Sequence, residues 1–359
     1  MAIGIALLGA GIWAREQHLP AIAACPDLSL KAIYSRSQAS VNTVIAAHQL
    51  KDVTAYFDSP TTRGHSLADL LARDDIHAVV IALPILQLPA AIQLAITAGK
   101  HVLSEKPVGK DVMTARNLIG WYERRLPLSR SAPVPVWCVG ENFRFIDRIV
   151  FARQKLLELG GDLQTFRCTV LCMMDPNDKF CKTEWRSKPG FQGGYLLDAG
   201  IHFIAMLRYL LAATGQEIQH VAAFTSLQQP HLAPVDTLSG SLRTANGCTG
   251  TLQLSFGTPW KTVIQTEVVT SRGAVLIDFA DVIVTSALDD GSQQAKTDKS
   301  SFDFGFGVED EVRAFAKGIS QPGSAVDPRC TPREALKDLV ILQKLLESGQ
   351  NNGDGRAVC

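Results

Sequence analysis

The sequence lacks the charge surplus and the metal-binding spacings that mark several common functions. It carries 35 lysines and arginines against 35 aspartates and glutamates, with no run of like charge. A chain without net charge has no general attraction to nucleic acid or to an anionic membrane, so we expect neither partner. The eight histidines show no HExxH or clustered spacing, and none of the eight cysteines forms a CxxC pair. We therefore expect no metal site.

The scattered cysteines and the absence of long apolar runs bear on where the protein resides. Isolated cysteines favour free thiols in a reducing compartment over disulfides. No run of about 18 uncharged apolar residues occurs, so no transmembrane helix is predicted. The apolar opening MAIGIALLGAGI lacks a basic segment and a cleavage site, which predicts a buried strand and not a signal peptide. These absences predict a soluble, cytoplasmic protein.

Short, wholly apolar segments alternate with helical ones in the first third of the chain. A length of 359 residues favours two domains. Strands are predicted at 3–8, 29–34, 76–83 and 101–105, and helices at 14–25, 38–48, 66–73, 89–98 and 109–125. Such alternation is typical of a parallel sheet covered on both faces. Residues 1–135 are therefore predicted to form a doubly wound α/β (Rossmann) domain.

The pattern changes after a Pro- and Ser-rich connector at 127–135. Whether VWCVG at 136–140 forms a last strand of the first sheet is left open by the sequence. Strand-like runs from 218 to 286 leave no room for crossover helices, which predicts an antiparallel sheet. Further predictions are a strand at 163–174, a turn at 289–291, a loop at 292–303 and helices at 147–159, 200–213, 308–318 and 332–347. We assign 136–348 to an α/β substrate and dimerisation domain and 349–359 to a disordered tail.

One strand of the second domain alternates strictly between polar and apolar residues. In TGTLQLSF, Thr249, Thr251, Gln253 and Ser255 share one face. This polar, uncharged face is either solvated or a homodimer interface, because uncharged side chains are cheaper to desolvate than ions.

A glycine-rich turn follows the first predicted strand. Gly9-Ala10-Gly11-Ile12-Trp13-Ala14 matches GxGxxG/A, in the strand–turn–helix context that the motif requires. Gly9 permits the tight turn, Gly11 lets backbone N–H groups approach a pyrophosphate at the helix N-terminus, and Ala14 allows close packing. The turn predicts a bound dinucleotide.

The end of the second predicted strand bears on which dinucleotide binds. NAD-binding folds place an acidic residue there for the ribose 2′-hydroxyl. This chain has Ser35, Arg36 and Ser37 instead. The serines can donate hydrogen bonds and Arg36 can pair with a 2′-phosphate, so we predict NADP and expect no carboxylate to repel it.

Two further segments carry groups suited to proton transfer. Glu105-Lys106-Pro107 lies at the end of the strand predicted at 101–105, at the sheet edge where ligands lie in such folds. The second segment, GGYLLDAGIH at 193–202, holds Asp198 and His202 four residues apart, on one face if it is helical. A surface lysine and a core histidine are the plain alternatives.

These segments together resemble the glucose–fructose oxidoreductase/inositol dehydrogenase (Gfo/Idh/MocA) family. GAGIWAREQHLPAI, AVVIALP, AGKHVLSEKPVGKD and WRSKPGFQGGYLLDAGIH carry the likeness through most of the chain, and MMDPNDKFCKTEWRSKPGF is similar to a fungal, NADP-using branch. The resemblance implies an NADP-dependent oxidoreductase whose second domain is a largely antiparallel sheet that often supports dimers. Leu83, Leu88 and Ala205 depart from the residues that many members carry.

The resemblance also implies residue roles. Lys106 matches the family's catalytic lysine, and Asp198 and His202 match its partners. With the turn and the second strand's end, the predicted cofactor set is Gly9, Gly11, Ile12, Trp13, Ala14, Ser35, Arg36, Ser37, Leu83, Pro84, Glu105, Lys106 and Asn142. The predicted substrate set is Arg144, Trp185, Arg186, Tyr195 and His202.

The hypothesis that follows is reversible hydride transfer between the nicotinamide and a small carbonyl or hydroxyl compound, such as a sugar, polyol, diol, aldehyde or ketone. Lys106 or His202 would handle the accompanying proton, and Asp198 would orient them. Two alternatives stay open: reduction of an imine or a conjugated double bond on the same scaffold, and a catalytically idle NADPH-binding sensor.

Overall fold

A computed structural model describes residues 2–125, 134–287, 294–320 and 325–358, which divide into two compact units. The first unit contains 1–141 and 308–336, and the second contains 142–307 and 337–359. The predicted boundary at 135 is therefore wrong. Trp137–Gly140 belongs to the first sheet because it pairs in parallel with the preceding strand, and a later helix also belongs to this unit.

The first unit is a parallel sheet with flanking helices. Its strands are β1 Ile3–Leu8, β2 Leu28–Ser35, β3 Thr54–Phe57, β4 Ala78–Ile81, β5 His101–Glu105 and β6 Trp137–Gly140. Its helices are α1 Leu19–Ala24, which continues a π-helical turn at Ala14–His18, then α2 Gln38–Ala47, α3 Leu67–Leu71, α4 Leu88–Thr97 and α5 Val112–Glu123.

The sheet order is β3-β2-β1-β4-β5-β6, with every pair parallel, so the predicted doubly wound fold is confirmed. The central strands are almost wholly buried, as their apolar sequences require. The short strand β3 was not predicted, because TAYF offers only two buried residues and no apolar run. The order reverses beside β1, which places the usual ligand crevice at the carboxyl ends of β1 and its neighbours.

The second unit is built on a nine-stranded sheet. Its helices in 142–307 are α6 Asp147–Leu159, α7 Glu184–Ser187 and α8 Gly194–Leu211. Helix α9, Val308–Ile319, lies in the first unit, and α10, Pro332–Gln350, passes from the first unit into the second. The strands are β7 Leu163–Leu171, β8 Ile218–Ser226, β9 Thr237–Thr244, β10 Thr249–Ser255, β11 Val263–Thr270, β12 Gly273–Asp278, β13 Asp281–Ala287, β14 Ala295–Ser301 and β15 Arg356–Ala357.

The order in this sheet is β14-β13-β12-β11-β7-β10-β9-β8-β15. Among the described strands of this second sheet, β7 and β10 form the only parallel pair, which confirms the prediction of a largely antiparallel sheet. The predicted loop at 292–303 is wrong over β14, whose polar, exposed side chains give no apolar alternation. The turn predicted at 289–291 lies outside the described residues.

The tail predicted to be disordered is instead ordered through residue 358. Helix α10 extends to Gln350, and β15 adds to the sheet by pairing Arg356 with Val221. The buried Ser348 hydroxyl donates to the carbonyl of Asp354 at 2.7 Å and accepts from the amide of Ala223 at 2.8 Å. The Gly- and Asn-rich composition of the tail suggested disorder. The tail is ordered nonetheless, because β15 joins the sheet through backbone hydrogen bonds, which such residues also supply.

Strand β10 presents its polar residues to solvent, as predicted for three of the four. Thr249, Thr251 and Gln253 are exposed, whereas Ser255 is buried and bonds to the hydroxyls of Thr237 and Thr258. Beside them lies a groove of about 450 Å³ at Gly250. That this face pairs two copies of the chain stays a prediction.

Helix α8 forms the centre of the second unit. By length and composition alone, Gly194–Thr214 qualifies as a candidate membrane span among the described residues, but 72% of its apolar window is buried inside the protein. Burial of this kind is what a core helix of a globular unit requires.

Candidate functional site: a dinucleotide turn and an acid–base helix

The glycine turn has the geometry that the motif predicts. Gly9 adopts φ +131°, and a Cβ there would lie 2.3 Å from the carbonyl oxygen of Ala82. Gly11 is exposed, and a Cβ there would meet no atom of the described chain within 4 Å. Close packing against Ala82 therefore explains why residue 9 is a glycine, whereas the protein's own packing gives no reason for a glycine at residue 11. The open space at Gly11, before a helix N-terminus, fits a pyrophosphate.

The end of β2 presents the predicted cation. Arg36 is exposed, Ser35 is half-buried, and Ser37 is the N-cap of α2, where its hydroxyl accepts from the amide of Ser40 at 3.4 Å. Because the Ser37 hydroxyl accepts in the cap, its own proton is available to a ligand. These three residues fit a phosphate beside β2.

A carboxylate that the sequence analysis did not foresee lies nearby. Asp58 follows β3, whose Phe57 is paired with Ser35 of β2. The Tyr34 hydroxyl donates to Oδ1 of Asp58 at 2.9 Å. Burial, and then this bond, raise the pKa of Tyr34 to about 12. No carboxylate follows β2 itself, as the sequence shows, but the unpredicted β3 places Asp58 next to β2.

The other predicted cofactor residues of the first unit follow neighbouring strands. Leu83 and Pro84 follow β4, while Glu105 ends β5 and Lys106 follows it. All four are half-buried at the carboxyl edge of one sheet, where β1 also ends in the glycine turn. The first unit thus brings the predicted phosphate turn and the predicted lysine to the same edge.

Glu105 has a partner that the sequence analysis missed. His18 is 1% exposed, and its Nε2 lies 2.6 Å from Oε1 of Glu105. The histidine belongs to the quoted segment REQHLPAI, so its presence was visible, but nothing in a sequence indicates a contact across 87 residues.

In the second unit, helix α8 carries the predicted pair Asp198 and His202. It begins at Gly194, earlier than the predicted start at 200, so both residues lie on one helical face as predicted. The two glycines before this pair have positive φ, 72° at Gly193 and 50° at Gly194, which allows a sharp turn at the start of the helix.

Asp198 is paired with Arg186. The Arg186 Nε donates to Oδ2 of Asp198 at 2.7 Å, and both side chains are largely buried. The guanidinium carbon lies 3.9 Å from the ring centre of Trp185 and 5.2 Å from that of Phe180. The arginine is thus fixed by a carboxylate and two aromatic faces.

Tyr195 and His202 complete the polar groups of this region. Burial, and next the charge of Asp198, raise the pKa of Tyr195 well above its ordinary value, so its hydroxyl stays protonated and able to donate. The His202 ring stacks on Phe143 at 4.6 Å between centroids and 15° between planes. Phe143 lies between the predicted ligand residues Asn142 and Arg144, but its own role was not predicted.

Two of the predicted ligand residues bond to other segments of the chain. Arg144 is 1% exposed, and its Nη2 donates to both carboxylate oxygens of Asp338 at 2.7 Å, so its assignment to the substrate is wrong. Asn142, predicted to bind cofactor, lies in the second unit, where its Nδ2 donates to the carbonyl of Phe306 at 2.7 Å. Both polar side chains are used to hold distant segments of their own unit.

The sheet order, the open glycine turn and the lysine at the same edge define an oxidoreductase of the Rossmann type. Known proteins agree. Residues 3–125 match a family described as oxidoreductase family, NAD-binding Rossmann fold, and residues 158–276 match the GFO/IDH/MocA C-terminal domain. The chain therefore belongs to the Gfo/Idh/MocA family, as the resemblance implied.

Individual relatives match most or nearly all of the chain. Dehydrogenase FPY6 of Fusarium mangiferae is 46% identical over 357 residues, which cover 99% of each protein. The dTDP-3,4-didehydro-2,6-dideoxy-α-D-glucose 3-reductase of Streptomyces violaceoruber is 28% identical over 78% of this chain and 73% of that protein. The crystal structure of an oxidoreductase from Thermotoga maritima superposes with a TM-score of 0.82 at 26% identity, covering 100% of this chain and 99% of that one.

Proposed function

We propose that this oxidoreductase uses NADP(H) to interconvert a carbonyl and a hydroxyl group on a small, sugar-like or polyhydroxylated compound. The observation that carries the proposal is the edge of the first sheet. It combines the open space at Gly11, the exposed Arg36 at the end of β2 and Lys106 after β5. A binding turn, a phosphate cation and a proton-transfer group are the parts that this reaction needs.

The roles of the chain's residues follow from the reaction. The bound nicotinamide supplies or accepts a hydride at C4. In the reducing direction, the Lys106 ammonium gives a proton to the oxygen of the reduced carbonyl and regains one from water. The His202 imidazole, held flat against Phe143, is the second candidate for this transfer.

The second unit supports an uncharged, hydrogen-bonding substrate. The charge of Arg186 is matched by Asp198 at 2.7 Å, so the pair adds no net charge, and the protonated Tyr195 adds a donor. The Streptomyces relative is, by its name, a 3-reductase of a dTDP-linked sugar, which supports a carbonyl group on a sugar-like compound. The charge-matched pair and the hydroxyl donor favour a polar substrate with several hydroxyls.

Replacing Arg186 tests whether Asp198 must be held in place. We expect Arg186→Gln to lower kcat about 10- to 100-fold, because the Asp198 carboxylate loses the charged bond that helps to orient it. Arg186→Lys keeps the charge but not the planar fork, so we expect partial recovery. Steady-state kinetics measure both, with Lys188→Gln as a control at an exposed cation of the same segment. Equal kcat values for all four proteins would contradict this role.

The preference for NADP is tested at Arg36. We expect Arg36→Ala to weaken NADPH binding about 10- to 100-fold and to leave NADH binding unchanged, since a charge-assisted bond to a phosphate is worth about 1.5–3 kcal/mol. Fluorescence titration with both dinucleotides measures this. Lys51→Ala removes an exposed cation before the amino end of β3 and serves as the control. Equal affinity of the wild type for NADH and NADPH would refute the preference.

The activity itself is tested by following NADPH absorbance with aldehydes, diketones and ketoses, and NADP⁺ reduction with sugars, polyols and diols. We expect turnover with one of these classes. Turnover with an imine or a conjugated enone alone would favour the alternative reduction. Tight NADPH binding without turnover on any compound would favour a sensor.

A further inference from the structure

A part-buried imidazole–carboxylate pair joins the helix of the glycine turn to the strand that leads to Lys106. His18 is the last residue of the π-helical turn Ala14–His18, in which the amide of Leu19 donates to the carbonyl of Ala14. Such wide turns are frequent at functional sites. The distance of 2.6 Å between His18 Nε2 and Glu105 Oε1 is short even for a bond to a charged group.

The surroundings of His18 indicate how the pair holds its proton. Nε2 donates, because a carboxylate only accepts. The other ring nitrogen, Nδ1, is buried, and no residue of the described ranges bonds to it. A second N–H at Nδ1 would be a buried donor without an acceptor, which is unfavourable. Donation from Nε2 alone therefore fits this position, with the Glu105 carboxylate as the acceptor.

Sheet topology places this charge near one half of the dinucleotide. The pyrophosphate is expected at the end of β1, and Arg36 marks the adenosine side at the end of β2. The nicotinamide half would then lie toward the carboxyl ends of β4 and β5. Glu105 is the last residue of β5, and its side chain is 13% exposed at this edge.

We propose that Glu105, held in place by His18, makes the site bind the oxidised dinucleotide relatively more tightly than the reduced one. The reason is that the oxidised nicotinamide ring carries a positive charge that the reduced ring lacks. The inference rests on the proposed dinucleotide binding. Glu105 acts directly on the ring, and His18 is a positioning residue that acts through Glu105. Lys106 is unchanged in the wild type and in every variant used below, so its charge does not account for a difference in dinucleotide affinity between them.

The test is the ratio of the affinities for NADP⁺ and NADPH, measured by calorimetry with no substrate present. We expect Glu105→Gln to weaken NADP⁺ binding about tenfold and to leave NADPH binding nearly unchanged, because only the oxidised ring loses an attraction. His18→Leu should move the ratio in the same direction. His18→Gln, whose amide N–H can replace the Nε2 donor, should preserve it. Glu123→Gln serves as the control. It removes a carboxylate at the end of α5 that pairs with Arg333.

The outcomes separate the inference from the function on which it rests. If Glu105→Gln binds both dinucleotides with the wild-type ratio, the charge role is wrong. Equal weakening of both by His18→Leu would show that the histidine only supports the fold. If the wild type binds neither NADP⁺ nor NADPH, the proposed function fails, and this inference fails with it.

Discussion

Lys106→Ala should lower turnover about 10²- to 10⁴-fold while NADPH still binds, because this change removes the group that moves the proton and leaves the phosphate turn intact. The lysine lies after β5, whereas the glycine turn lies after β1, so the two functions occupy different strands of the sheet. Stopped-flow absorbance gives the rate, and fluorescence titration gives the NADPH affinity.

The matched control for this change is Lys110→Ala. Lys110 lies four residues further along the same segment, is 45% exposed, and has its Nζ 3.9 Å from the carboxylate of Asp111. We expect it to keep the wild-type rate. Wild-type turnover in Lys106→Ala would end the assignment of this lysine and leave His202 as the remaining candidate for proton transfer.

Asp338→Ala should destabilise the second unit by about 3–5 kcal/mol, because it leaves buried guanidinium groups without their carboxylate. Asp338 is 1% exposed and accepts two bonds from Arg144 Nη2, together with one from Arg208 Nη1. Two arginines thus depend on one carboxylate inside the same unit. Thermal unfolding by circular dichroism and calorimetry measures the loss.

An exposed ion pair of the same unit provides the comparison. Glu217 and Lys337 are 3.0 Å apart, with side chains 69% and 52% exposed. Water screens such a pair, so Glu217→Ala should cost no more than about 1 kcal/mol. If both variants unfolded at the wild-type temperature, the bond between Arg144 and Asp338 would not stabilise the second unit. A role of Arg144 at the substrate would then have to be reconsidered.

Local motifs were the most predictable part of this protein. The glycine turn, the strand before it and the helix after it are adjacent in sequence, so their geometry follows from a few residues. The same holds for Lys106 after β5 and for the four-residue spacing of Asp198 and His202 on α8. Each feature depends on a strand or a helix that its own residues specify.

Side-chain partners were not predictable because they join distant segments. Arg144 and Asp338 are separated by 194 positions, and His18 and Glu105 by 87. A polar residue beside a motif suggested a ligand contact at Arg144, whereas its true partner lies on α10. Pairing across such distances depends on tertiary packing, which one sequence does not display.

Segments with weak apolar patterns were the other source of error. Strands β3, β14 and β15 are short or polar, so alternation did not reveal them, yet their backbones complete the two sheets. Missing β3 also concealed Asp58, which pairs with Tyr34 beside the predicted 2′-phosphate position. Sheet edges are held by backbone bonds that side-chain patterns report poorly.

The central claim is that this chain moves a hydride from a nicotinamide to a carbonyl carbon with help from Lys106. The most direct measurement incubates it with NADPH deuterated at C4, in each of the two stereochemical forms, and a pool of aldehydes, ketoses and diketones. Mass spectrometry should find one deuterium on a product's carbinol carbon with one form, and a greatly reduced amount with Lys106→Ala. Retention of all deuterium in bound NADPH, with every compound unchanged, would contradict the account.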